Sequence, residues 1–129
     1  MDIWQHHFLT IVGETEFNPW DNMFITEKTW KPIFGLRPFL INGQTKIYKY
    51  LRDNGFKTFT HYFDVELEDV KEFQVHDRII DALKSLSNKN LIDMYSDMLP
   101  DLRHNRDRFF EFAKEQKIKI DNLWTNIIL

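Results

Sequence analysis

The sequence predicts an α/β domain with a short parallel sheet of three or four strands and a helical C-terminal region. Two observations carry this. Between residues 8 and 60, short β-branched and aromatic runs alternate with helical segments. That order builds βαβ units on a parallel sheet, with right-handed crossovers laying the helices against it. From about Val65 onward, apolar residues recur at near-helical spacing among Glu, Asp and Lys. A chain of 129 residues is the length of one domain. It divides into a βαβαβ core over 8–60 and a helical part over 65–129.

Residues 8–13, "FLTIVG", read as a buried strand ended by glycine. "ETEFNPWDN" is polar and holds Asn18-Pro19, so it is a loop. Thr26 is placed to N-cap a helix from Glu27 to about Phe34, with Gly35 ending it and Pro32 confining it to two turns. "RPFLIN" is a second strand, its proline at the first position where a missing donor does least harm, and Gly43 permits a sharp exit. "QTKIYKYLRDNG" is a helix with Ile47, Tyr50 and Leu51 on one face and Gly55 at its left-handed end. "FKTFT" is the expected third strand.

In the helical part, Leu67, Val70, Phe73, Ile79, Ile80, Leu83 and Leu86 mark one apolar stripe. "NLIDMYSDML" is a shorter helix that Pro100 should break. "DLRHNRDRFFEFAKEQK" is a further helix carrying Leu102, Phe109, Phe112 and Ala113. The tail "IKIDNLWTNIIL" ends apolar, so it either docks back on the domain or meets a partner.

Hydrophobic residues make up 43% and aromatics 16%, with twelve Phe and four Trp. A domain of this size buries roughly two-thirds of its unfolded surface, and the material for that core is present. The net charge of −3 disfavours a polyanion partner. The absence of cysteine excludes disulfide scaffolds, thiol catalysis and thiolate zinc sites. "MDIWQHH" lacks the basic and apolar regions of a signal peptide, and no apolar run approaches the roughly 18 residues that span a bilayer. A cytoplasmic protein is expected.

Glu27 and Lys28 follow a loop at a helix N-terminus between the first two strands. In open parallel sheets, ligands lie beyond the carboxyl ends of the strands, where helix N-termini point. Unsatisfied N–H groups and the positive end of the helix dipole favour an anion there. A diphosphate would offset Lys28, and a carboxylate can accept hydrogen bonds from ribose hydroxyls. The plainer reading is that Glu27 complements the dipole and Lys28 points to water.

The stretch "FITEKTWKPIFGLRPFLING" resembles the nucleotide-sugar-binding motif of fucosyltransferase-like glycosyltransferases, and the upstream "IVGET" is similar to that family's Phe-Glu-Asn-Ser strand end. "YKYLRDNGFKTFTHYFD" also looks like segments of related phage and bacterial transferase-like proteins. The resemblance covers about residues 8–60. It implies a three-layer Rossmann-like half domain that binds a nucleoside diphosphate sugar as substrate, with no divalent metal required. By that resemblance Glu27 binds the ribose, Lys28 the phosphates, and Thr26 shapes the turn. Glu14 stands where the family has Asn, near the sugar or base, and Gly43 ends the second strand. Such enzymes have two domains, with the nucleotide in the C-terminal one. This chain has room for one, so the resemblance implies a donor half with an acceptor domain elsewhere, or a descendant that kept the fold. No residue stands out as a general base.

Other candidates have plainer readings. His6 and His7 are adjacent and cannot easily converge on one ion. His61 with Asp64 admits a Mg²⁺ or acid–base role, against a turn-capping aspartate beside a half-exposed histidine. His76 and His104 lie on charged faces. Arg103 and Arg106, with Asp107 and Glu111, suggest either a phosphate site or, more simply, a salt-bridged face. Among Trp4, Trp20 and Trp30, Trp30 belongs to the core, and Trp20, in its polar loop, is the candidate for ligand contact. Arg37 and Lys31 add positive charge near a diphosphate. A second reading of the whole is a non-enzymatic interaction module, seated through "LWTNIIL" on a partner or on a copy of itself.

Overall fold

The computed structural model describes residues 7–14, 25 and 27–128. Trp4, His6, Trp20, Thr26 and the loop over 15–24 lie outside the described residues. The elements are β1 (Thr10–Glu14), α1 (Glu27–Phe34), β2 (Phe39–Gly43), α2 (Lys46–Asp53), α3 (Glu72–Ser85) and α4 (Leu91–Ile128), with one-turn 3₁₀ helices at Thr60–Phe63 and Leu86–Asn88. Among the described residues the protein is mixed α/β and mostly helical (67%).

β1 and β2 pair in parallel, from Thr10 opposite Phe39 to Glu14 opposite Gly43. Phe39, Leu40 and Ile41 are all buried, as expected of a parallel strand covered on both faces. β1 alternates instead, with Val12 and Glu14 inside and Ile11 and Gly13 outside. α1 lies against β1 and α4, and α3 lies against β2. Trp30 of α1 joins the core as expected, its ring 5.4 Å from Phe56, 5.9 Å from Phe109 and 5.5 Å from Phe112.

The expected third strand is absent among the described residues: 56–59 is irregular, and the chain then enters the 3₁₀ turn. Side chains hold the backbone groups that a ladder would have used. The Tyr48 hydroxyl accepts from Ile41 N–H at 2.7 Å and lies 3.3 Å from Ile41 C=O, to which it donates. The Asn105 carboxamide takes Lys57 N–H at 2.7 Å and donates to Lys57 C=O at 2.9 Å. Both side chains are buried. Backbone groups so satisfied have no need of a strand partner.

Pro100 does not break a helix; α4 runs through it from Leu91 to Ile128. A proline inside a helix costs about 3 kcal/mol through its lost donor and its ring. Met98 and Leu102, on the opposite side from the exposed Pro100, are 0% and 2% exposed. Burying each contributes roughly 1.5–3 kcal/mol, enough to carry the helix across.

α1 ends at Phe34 with Gly35 following it, as expected. Leu36, not Gly35, adopts the left-handed conformation, at φ 55°. Its N–H bonds to Ile33 C=O, and Arg37 N–H bonds to Pro32 C=O, which is the paired closure of a Schellman end. α2 closes in the same way with glycine at the left-handed position, Gly55, through Phe56 N–H to Leu51 C=O. Its buried face is Ile47, Tyr48 and Leu51, with Tyr50 half-buried.

α3 starts only at Glu72, so Leu67 and Val70 belong to the preceding loop. Val75, Ile79 and Ala82 form its buried face, while Phe73 and Leu83 are exposed. On α4, Leu102 and Phe112 are buried, Phe109 is half-buried and Ala113 is exposed. No described helix is long and apolar enough to cross a membrane.

Candidate functional site at the carboxyl edge of the sheet

β1 and β2 end side by side, and α1, which connects them, begins at that same edge. Glu14 and Gly43 are register partners there. A Cβ on Gly43 would overlap the Glu14 carbonyl oxygen, so only glycine lets β2 end this close to β1.

Glu14 is a buried carboxylate, 3% exposed. Its Oε1 accepts a hydrogen bond of 2.9 Å from Thr29 Oγ1, itself fully buried in the first turn of α1. A negative group at a helix N-terminus is favoured by the dipole, and the hydrogen bond supplies part of what a buried charge needs. The pair fastens the start of α1 to the end of β1. Thr29 was missed by the sequence reading, which assigned the hydroxyl role to Thr26. Its signal was periodicity: Thr29 lies three and four residues before Pro32 and Ile33, the other buried positions of α1.

Glu27 and Lys28 are both exposed in that first turn. Lys28 joins Lys31, one turn on, along a hollow of about 250 Å³ beside Thr10–Gly13 of β1. Glu27 is not among the residues lining it. The structure therefore brings together Glu14, Gly43, Thr29 and the start of α1, with two lysines on the β1 flank.

Arg37 lies at the other end of β2, before Phe39, so it does not join this edge. Its guanidinium reaches Leu36 C=O at 3.1 Å and Tyr95 Oη at 3.3 Å.

Several other basic groups have structural partners. Arg52, Lys57, His61 and His104 surround a hollow of about 460 Å³ beyond the C-terminus of α2. There His104 Nε2 donates to Gly55 C=O at 2.7 Å and Arg108 Nε to Asn54 C=O at 2.6 Å. Donors from α4 thus satisfy carbonyls at the end of α2, and Arg52 pairs with Glu68. Arg108 also grips Glu115 through its two terminal guanidinium nitrogens, at 2.8 and 2.9 Å. Arg106 sits over the Phe34 ring.

Asp64 ends the 3₁₀ turn in a left-handed conformation and pairs with Lys89 at 3.1 Å, while His61 lies against the Tyr62 ring. This is the turn-capping arrangement. Among the described residues, no three His, Asp or Glu side chains are grouped to hold a metal ion. Comparisons with family models, with curated proteins and with solved structures find no match for this chain.

Proposed function

We propose that the carboxyl edge of the sheet binds a nucleoside diphosphate sugar, as the donor domain of a glycosyltransferase-like protein with a Rossmann-like half domain. The observation that carries this reading is the start of α1 at the open end of a parallel strand pair, with Lys28 and Lys31 along one hollow beside β1. Lysines and a helix N-terminus suit a diphosphate without a divalent metal. In this reading Lys28 meets the phosphates and Glu27 accepts from the ribose. Glu14, held by Thr29, sets the position of α1 rather than touching the sugar. Gly43 keeps the edge open. Stabilising the leaving diphosphate would assist transfer; the acceptor and its base would come from another domain.

Titration of the protein with GDP, UDP and dTDP, followed by NMR shifts or calorimetry, tests it. A saturable response is expected with at least one of them. Glu27→Ala and Lys28→Ala should each remove most of that response and change stability by only about 0.5–1 kcal/mol, since both are exposed helix-end residues. No response to any nucleotide, or a large loss of stability in either variant, overturns the assignment.

A second reading, an interaction module, is favoured by one separate observation. From Ala113 to Ile127 the side chains of α4 are exposed except for the half-buried Gln116, and several are large and apolar.

A further inference from the structure

The overhanging part of α4, residues 113–128, is on the order of 24 Å long. Isolated helices of this length are marginal in water. Yet Ile118, Ile120, Leu123, Trp124 and Ile127 are 54–66% exposed along it. The pattern is ordered. Phe109, Ala113, Gln116, Ile120, Leu123 and Ile127 follow one another by alternating steps of four and three, the seam of a two-helix coiled coil.

The near end of that seam is already taken. Phe109 packs on Trp30 and Phe34 of α1. A second helix running parallel in register would have to occupy the space of α1, whereas an antiparallel one would keep its folded body beyond Ile127. We propose that the protein pairs with a second copy of itself, antiparallel, through residues 116–127 of α4. This rests on the second reading above, that the overhang is an interaction surface, and adds the partner and its direction.

Self-pairing is favoured because one register complements itself. Ile120 then faces Leu123 of the second copy, and Gln116 faces Ile127. Lys117 meets the Trp124 ring, an attractive cation–π arrangement, and Lys119 meets Asn126. Moving the register by one heptad toward the bodies sets Lys117 against Lys117 and Lys119 against Lys119, which like-charge repulsion opposes. The seam is short beside the roughly 800 Å² per partner of a standard interface, so the dimer is weak.

Sedimentation equilibrium of the full chain up to protein concentrations on the order of 100 µM should show a reversible dimer. Leu123→Asp, at an exposed position, should weaken it at least tenfold while leaving the circular dichroism and melt of the monomer unchanged; a dimer of unaltered strength overturns the proposal. The sequence has no cysteine, so Asp107→Cys, also exposed, takes a single spin label. Its separation across an antiparallel dimer is about 45 Å from helix rise alone. A dimer with labels about 20 Å apart overturns the antiparallel copy but leaves the overhang an interaction surface. A monomer throughout overturns both.

Discussion

Thr29 and Glu14, distant in sequence, share a buried hydrogen bond that fastens the first turn of α1 to the last residue of β1. Thr29→Val keeps the shape and removes the hydroxyl. A hydrogen bond to a charged group contributes about 1.5–3 kcal/mol, and its loss leaves a buried carboxylate short of a donor. Urea denaturation should show a loss of that size. Any nucleotide response should weaken with it, because α1 carries Lys28.

Gly43 and Gly13 differ in what surrounds them, and alanine substitutions should separate them. At Gly43 a Cβ runs into the Glu14 backbone, while at Gly13 nothing lies within 4 Å. Gly43→Ala should cost at least about 2 kcal/mol, since backbone rather than a flexible side chain has to move. Gly13→Ala should be neutral or stabilise by about 0.4–1 kcal/mol by restricting the unfolded chain. Thermal melts of the two variants side by side check this.

Tyr48→Phe leaves the ring in place and takes the hydroxyl from Ile41. Two buried backbone groups lose their partner, at about 1–3 kcal/mol. The expected result is a lower denaturation midpoint with an unchanged slope. Hydrogen exchange at the Ile41 amide should quicken relative to Leu40.

Alkaline pH should destabilise the fold through two tyrosines. Burial, and then its hydrogen bond to Asp101 at 2.8 Å, pushes the Tyr62 phenol up to about 12. Burial raises Tyr48 further, against the opposing bond from Ile41. Each folded-state pKa lies above the unfolded value near 10. The stabilisation is therefore complete below about pH 10 and is lost as pH rises toward and past 12. Tyr62→Phe should flatten the first part of that decline in melts taken from pH 9 to 12.

The sequence made α1 legible because local chemistry agrees with the tertiary result: an acid at the start, Pro32 confining the helix, and a glycine after Phe34. β1 and β2 were legible in type, with ends shifted by one or two residues. The missing strand was not. "FKTFT" has the composition of a strand, and nothing local shows that Tyr48 and Asn105, from two different helices, take the hydrogen bonds it would have made. Pro100 misled for a related reason, since its local penalty is offset by the burial of Met98 and Leu102. Of the site, Glu14, Gly43 and the first turn of α1 do meet at one edge. Lys28, and not Glu27, lines the hollow beside β1, a difference that adjacency in sequence conceals.

The stopper that Tyr48 places on β2 has a bearing on how this protein behaves when crowded. A bare strand edge is a template on which other chains can add and aggregate. With Ile41 plugged by a phenol and the flank of β1 bordered by two lysines, the little sheet offers poor footing for fibril growth.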